Sequence, residues 1–453
     1  MHKKHTVKII SALLSGVAML SSFGCRSASD IPDYAKQDFV TFGFWSPYEL
    51  TQESFTLYKQ SGLNTLFFTN HSVTQWTSDN LHYLGSNATQ KSLELCRKTG
   101  LNAILNYGDW YRTRAEGEPF SGTPFSDYNL YGDYKDIIVG MHIADEPNLE
   151  KIDEYGLDTL TADFQSVYDV PYMVNLFPDY ASMEQIGTQG YRHYVQTYAD
   201  KVVSDFEENR LLSVDFYPFQ RTIFHPSWLF CYNEIAKIAK ATGSKRNYYI
   251  QTSVGSEFQY TLSAEEIAIQ LNVAMAFGAD WFGFFCYETP RTYQADGAYE
   301  PKYQYCMLNP DGTPSPLYYA VQGELARVGA FSDVYLAYDW VKTVPVLKTG
   351  GFTNQAFRML GKTDFTGTAL NQVTSTGDTV VGCFDSAEYG EAFMLVNYGK
   401  PSEQTVSTVE MEFSKGKYVA VYGIEDEPQI MKLKQGKLSV ELSAGAGCFV
   451  TVL

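Results

Sequence analysis

Eight short, near-continuously apolar runs, each followed by a longer stretch of helical character, constrain this chain more than any other feature. They are Phe39–Trp45, Thr65–Thr69, Ala103–Tyr107, Ile137–Ala144, Tyr172–Phe177, Leu211–Tyr217, Tyr248–Ser253 and Trp281–Tyr287. A run with no polar face reads as a parallel strand buried on both sides. Two runs follow a repeated phrase, Ser61-Gly62-Leu63-Asn64 and Thr99-Gly100-Leu101-Asn102, in which a glycine ends a helix before the next strand. Ser263 is placed to cap a helix beginning Ala264-Glu265-Glu266, with Ile267, Ile269, Leu271 and Met275 as apolar positions and Gly278 as its stop. Eight strand-plus-helix units predict a closed (β/α)8 TIM barrel, a fold of about 250 residues. A doubly wound open sheet fits less well, because no Gly-rich phosphate fingerprint follows the first run.

Past a helix around Pro316–Val328 the texture changes. Thr379–Phe384, Ala392–Tyr398, Val409–Phe413, Lys417–Tyr422, Lys437–Leu442 and Cys448–Leu453 are short strands separated by Gly, Asp, Lys and Ser turns. Strands at this spacing, with no helices between them, predict an antiparallel β-sandwich. The expected class is α/β: a barrel over residues 38–335, then a C-terminal β-sandwich over 345–453.

The N-terminus predicts export. Lys3, Lys4 and Lys8 precede an apolar run from Ile9 to Leu20, too short to span a bilayer permanently, and Ser21-Ser22-Phe23-Gly24-Cys25 follows. The Gly24-Cys25 junction resembles a bacterial lipoprotein cleavage site, with Ser22 where an aliphatic residue is usual. The resemblance implies a signal peptide over 1–24, lipidation of Cys25, a tether over 25–37, and membrane contact through that anchor only. Residues 1–24 contain no acid, so their removal takes the net charge from −18 to −21. That balance argues against nucleic acid as a partner and suits a neutral or cationic ligand. Six further cysteines (Cys96, Cys231, Cys286, Cys306, Cys383 and Cys448) contain no CxxC pair and fit no zinc template. They read as small buried hydrophobes, with a Cys286–Cys306 disulfide compatible with the sequence but not determined by it.

Catalysis on a barrel gathers at the C-terminal ends of the strands. The polar residues there are Trp45; Asn70 and His71; Asp109 and Trp110; Asp145 and Glu146; Asn175; Asp215 and Tyr217; Gln251; and Glu288. Amides and acids hydrogen-bond hydroxyls while aromatic rings stack on pyranose faces, so the set predicts a carbohydrate site. Trp45, Asn70, His71, Trp110, Asn175, Tyr217 and Gln251 are the candidate sugar contacts. The sharpest segment is Ile137 to Asn148, where a buried strand ends in Asp145-Glu146-Pro147. Glycosidic cleavage needs a carboxylic acid to protonate the leaving oxygen, and a neighbouring negative charge keeps that acid protonated. Asp145 beside Glu146 can supply it.

Here the sequence resembles the TIM-barrel glycoside hydrolases whose fourth strand ends in Asn-Glu-Pro or Asp-Glu-Pro. The resemblance covers residues 39 to about 330 as a pattern, and implies that Glu146 is the acid/base. Those enzymes carry a nucleophilic glutamate at the end of strand seven, where this chain has Gln251, and an amide cannot form the glycosyl ester. Asp215 and Glu288, ending strands six and eight, are the leading second carboxylates. Glu257 comes third, and a substrate acetamido group oriented by Asp145 is the route that needs no protein nucleophile. His71 and His142 lack metal-ligand spacing, so neither a metal nor another cofactor is expected, and His142 reads as a core or supporting residue. Ser253 and Ser256 lack a nucleophile-elbow context. The expected activity is hydrolysis of O-glycosidic bonds in an extracellular glycan. The rival is a glycan-binding protein on a barrel that has lost turnover.

Overall fold

The computed structural model describes residues 31–44, 47, 49–68, 73–77, 80–83, 86–106, 129–154, 157, 169–204, 206, 208–219, 224–255, 261–289, 291–293, 299–301, 303–352 and 354–453. The barrel strands are β1 (Val40–Gly43), β2 (Thr65–Phe67), β3 (Asn102–Asn106), β4 (Ile138–Asp145), β5 (Tyr172–Leu176), β6 (Leu211–Val214), β7 (Lys245–Gln251) and β8 (Trp281–Phe285). Each lies in one of the eight apolar runs or overlaps it closely. All pair in parallel, and β8 pairs with β1 to close the barrel. The interior is packed: Phe42, Phe67, Ile104, Met173, Leu211, Tyr249 and Trp281, from seven different strands, form one buried cluster.

The Gly-Leu-Asn phrase has a physical role at each position. Gly62 and Gly100 take positive φ, 91° and 69°, the left-handed conformation that ends a helix at little steric cost. Leu63 and Leu101 are buried. Asn64 accepts a bond from the Thr41 N–H at 3.0 Å and donates to the Phe39 carbonyl at 2.7 Å, which seats β2 against β1.

The C-terminal part is a sandwich of two antiparallel sheets. Its strands are β9 (Asp339–Val346), β10 (Leu370–Ser375), β11 (Thr379–Ser386), β12 (Gly390–Asn397), β13 (Ser407–Phe413), β14 (Tyr418–Tyr422), β15 (Gln429–Lys432), β16 (Lys437–Leu442) and β17 (Gly447–Val452). One sheet has the order β9-β11-β12-β17-β14-β15, the other β10-β13-β16. Three of these strands, β9, β10 and β15, do not stand out as apolar runs. Lys342 and Pro345 interrupt β9, Asn371 and Gln372 are exposed in β10, and β15 is a largely exposed edge strand. Of the strands that do stand out, β11, β12 and β17 have both faces covered, whereas β16 alternates buried and exposed residues with a period of two. In β12, Phe393 and Leu395 face the three-stranded sheet, whereas Ala392, Met394 and Val396 join the core shared with the barrel.

One helix is buried between the two parts. Helix Ala264–Ala276 starts at a capping box, in which the Ser263 side chain accepts from the Glu266 N–H at 3.2 Å and Glu266 accepts from the Ser263 N–H at 2.8 Å. Every residue from Glu266 to Ala276 is buried, as expected of a helix apolar all round. Toward the sandwich, Asn272 donates to the Gly445 carbonyl at 2.9 Å, and the Thr343 hydroxyl and Trp340 indole N–H both donate to the Ala276 carbonyl, at 2.7 and 3.1 Å. Gly382 of β11 lies so close that a Cβ there would stand 2.5 Å from the Ala276 carbonyl oxygen. Gly382→Ala is therefore expected to lower stability by about 1–3 kcal/mol, measured by thermal or denaturant unfolding. An unchanged midpoint would mean that the sandwich can slide off the helix without cost.

Candidate active site

The C-terminal mouth of the barrel is built on a polar ladder that follows the strand register. Asn106 of β3 lies opposite His142 of β4, and the His142 Nδ1 and Asn106 Oδ1 are 2.8 Å apart. A register shift in β4 between His142 and Ala144 then brings Asp145 opposite Asn175 of β5. Asn175 pairs with Ser213 of β6, and Ser213 with Asn247 of β7. The side chains bond in that order: Asn175 Nδ2 donates to Asp145 at 3.2 Å, the Ser213 hydroxyl to Asn175 Oδ1 at 3.0 Å, and Asn247 Nδ2 to Ser213 at 2.9 Å. Four neighbouring strands are thus joined by one hydrogen-bonded chain whose last member, Asp145, is exposed.

Glu146 follows the last residue of β4 in the left-handed region, at φ 46°, where a non-glycine residue is strained. Its N–H donates to the Asn175 carbonyl at 2.8 Å, which ties the strained residue to β5. The next peptide is held too, because the buried Tyr194 hydroxyl donates to the Pro147 carbonyl at 2.7 Å. Burial first, and the Asp145 charge second, push the Glu146 carboxyl up to about 7, opposed by a hydrogen bond with Asp215. Asp215, immediately after β6, is 9% exposed. Burial, then the charges of Glu146 and Asp145, hold its carboxyl well above the usual range. A hydrogen bond between two carboxyl groups requires a proton on one of them, so the pair titrates as a unit. Asp215 Oδ1 is buried without a protein partner.

Of the residues that sequence reasoning placed here, Asp145, Glu146, Asn175, Asp215 and Tyr217 come together. Tyr217 is half-buried beside Asp215, its ring 5.3 Å from that of Phe285. Glu288 is half-buried after β8, and its charge acts on Cys286 and Tyr287. Gln251 is buried and wholly engaged with backbone. It accepts from the Phe219 N–H at 3.0 Å and donates to the carbonyls of Phe219 and Ser253, at 3.0 and 3.1 Å. A carboxylate cannot make the two donations, which gives the amide at this position a physical reason. Cys25, Trp45, Asn70, His71, Asp109, Trp110, Ser256 and Glu257 lie outside the described residues.

Sequence reasoning passed over the loop after β5. Tyr180 is 38% exposed, its ring centroid 5.1 Å from both Phe216 and His225. Burial first, and the charge of Asp215 second, hold its hydroxyl well above the ordinary phenol range, and the charge of Glu146 also reaches it. Beneath it the Ser227 hydroxyl donates to Asp179 at 2.7 Å and lies 2.9 Å from His225 Nδ1. Burial pushes the Asp179 carboxyl up to about 6. The available signal was position: Asp179-Tyr180 follows the strand-five phrase Asn175-Leu176-Phe177-Pro178 directly.

No protein-family model matches the sequence, and no curated protein matches it. Among solved structures the chain is similar to a family 39 glycoside hydrolase from the gut symbiont Bacteroides cellulosilyticus WH2. Identity is 11% and the TM-score 0.50, over 91% of this chain and 81% of that one. It is also similar to a 4-O-alpha-L-rhamnosyl-beta-D-glucuronidase from Fusarium oxysporum 12S (11% identity, TM-score 0.46, 93% and 99% covered). A third is an endo-beta-1,4-mannanase from Thermotoga petrophila (10%, 0.42, 90% and 98%). The last two scores fall below one-half and add nothing to the argument. The first shows the fold alone: a TIM barrel with a β-sandwich, shared with a glycoside hydrolase.

The electrostatics of the pair are directly measurable. In a carboxyl-carbon NMR titration the Glu146 resonance is expected to move with a midpoint near pH 7. In Asp145→Asn, which removes a negative neighbour, the midpoint moves to lower pH. A Glu146 midpoint in the ordinary carboxylate range in the wild type would contradict the shared proton.

Proposed function

We propose that the protein is a glycoside hydrolase that cleaves O-glycosidic bonds of an extracellular oligo- or polysaccharide, with Glu146 as general acid. The observation that carries the reading is a half-buried carboxyl, pushed up to about 7, at the catalytic end of a TIM barrel. Departure of an alkoxide from a sugar has a high barrier unless a proton reaches the leaving oxygen as the bond breaks, and a carboxyl still protonated near neutral pH can supply it. Burial first, and the Asp145 charge second, keep that proton on. Asp215, more deeply buried and itself protonated, donates to the Glu146 carboxylate left behind; this fits the direction in which their hydrogen bond moves the Glu146 carboxyl. Asn175 positions Asp145, and Tyr180 and Tyr217 offer ring faces and hydroxyls to the sugar. The second carboxylate is assigned to Asp215 or Glu288.

Two variants of one residue separate the roles open to Asp215. An asparagine can still donate a hydrogen bond but cannot attack the anomeric carbon. If Asp215 is a proton-bearing donor, Asp215→Asn keeps activity within about tenfold of wild type and Asp215→Ala does not. If it is the nucleophile, both lose turnover alike, and Glu288→Gln is then the milder change.

The test of the reading is reducing-sugar release from a glycan panel by the full chain beside Glu146→Gln. Wild-type turnover with a loss of about 10²–10⁴-fold in the variant is expected, together with a basic limb of kcat/KM near pH 7 that moves to lower pH in Asp145→Asn. Equal rates in wild type and Glu146→Gln would remove Glu146 from the chemistry.

A glycan-binding role without turnover is the second reading. Two observations favour it: the Gln251 amide is engaged with backbone where related sites carry a nucleophile, and Glu146 and Asp215 are in hydrogen-bond contact. A retaining pair stands about 5–5.5 Å apart and an inverting pair about 6.5–9.5 Å. Glycan binding by wild type and Glu146→Gln alike, with no sugar released by either, would establish it.

We also propose export and lipid anchoring at Cys25. No helix among the described residues is long and apolar enough to cross a membrane, so attachment would rest on the acyl chains. Labelled palmitate incorporation and partition into detergent are expected for the wild type and lost in Cys25→Ala.

A further inference from the structure

Cys286 and Cys306 face each other at the catalytic end of the barrel. Both are buried, at 0% and 1% exposure, and their Sγ atoms are 3.4 Å apart as thiols. The backbones that carry them are already zipped together. The Met307 N–H donates to the Cys286 carbonyl at 3.3 Å, and the Leu308 N–H to the Tyr287 carbonyl at 2.9 Å. Each segment is pinned again from outside, since Thr252 donates to the Cys286 carbonyl at 3.1 Å and Ser315 to the Cys306 carbonyl at 2.6 Å. None of the other described cysteines pairs with a second cysteine; Cys231, for example, donates to the Tyr191 hydroxyl at 3.3 Å.

We propose that Cys286 and Cys306 form a disulfide in the exported protein, closing the loop that leaves β8 and carries Glu288. The sulfurs must approach to about 2.05 Å, a move that side-chain rotation can supply when the two backbones are hydrogen-bonded neighbours. The oxidant is a protein or small-molecule disulfide, RS–SR, of the kind present in oxidising compartments. One cysteine thiolate attacks it, forming a mixed disulfide and releasing one RSH after protonation. The second cysteine, having lost its proton to solvent, attacks the sulfur of the first and releases the other thiol. Two protein thiols are oxidised and one disulfide is reduced, with no other reactant. Burial holds the Cys286 thiol well above its usual range, so exchange belongs to the folding chain, before the barrel closes over the pair. The bond spans a 20-residue separation and fixes the end of β8 relative to the start of helix Pro316–Gly329. Glu288 thereby acquires a rigid base at the mouth.

The inference is independent of turnover and is tested on the full chain exported through its own leader. Protein is quenched in acid, denatured, alkylated without reductant, digested and weighed. Linked peptides containing Cys286 and Cys306, two hydrogens lighter than their sum and separated by dithiothreitol, are expected. Reduction should also lower the melting temperature of the wild type by about 3–5 °C, with no such change in the Cys286→Ala, Cys306→Ala double variant. Alkylated Cys286 and Cys306 in unreduced wild-type protein, or linkage of either to another cysteine, would overturn the proposal; this peptide map requires no variant to fold.

Discussion

The burial of helix Ala264–Ala276 between barrel and sandwich is the interaction on which the rest of the structure depends. A helix buried from Glu266 to Ala276, with apolar residues on every side and its few polar ones hydrogen-bonded internally, must be covered on both sides by the chain. The barrel covers one side and the six-stranded sheet the other, which is why β11, β12 and β17 carry apolar residues on both faces. The same helix reaches toward the C-terminal ends of the barrel strands. Gln270 accepts from the Gln251 N–H at 2.7 Å and donates to the Gln251 carbonyl at 3.2 Å, fixing the end of β7. The sandwich therefore takes part in setting the geometry of the barrel mouth, through one layer of buried helix.

At that mouth, acidity is produced by geometry. Glu146 is held in the left-handed region by its bond to the Asn175 carbonyl, Asn175 is held by Ser213 on the next strand, and Ser213 in turn by Asn247 on the one after. The side-chain links join residues opposite one another in a parallel ladder, so the register of the closed barrel, with its one shift in β4, forms the chain. What the closed barrel then imposes is expensive electrostatically. Three carboxyl groups converge, one exposed, one half-buried and one buried. Burial first, and their mutual repulsion second, push Glu146 up to about 7 and hold Asp215 well above the usual carboxylate range. Tyr180 and the Asp179–Ser227–His225 chain form the wall on the β5 side.

Much of this was legible in the residues. The eight barrel strands match eight apolar runs because strands buried on both faces need no polar residue, and the capping box of helix Ala264–Ala276 matches Ser263 and Glu266. The strands missed, β9, β10 and β15, lack both a continuous apolar run and the strict period of two that marks β16, whose one exposed face did not hide it. Asp145-Glu146-Pro147 marked the site because two acids at the end of a buried strand are costly unless they are used.

What the sequence by itself determined is therefore what depends on local period and local chemistry: the repeat of buried strand and helix, the change to short β-strands, and the strand end that carries the acids. Which acids meet was decided only by tertiary structure. Asp215 and Glu288 are equivalent as text, each a carboxylate just past a strand. The closed barrel sets Asp215 against Glu146, and the Glu288 charge acts instead on Cys286 and Tyr287. Gln251 looked like a sugar contact or a lost nucleophile, and the fold gave its amide two carbonyls that need donors. Tyr180 had no motif at all. Distances between strand ends depend on register, closure and a single shift in β4, and none of these is encoded within any one segment.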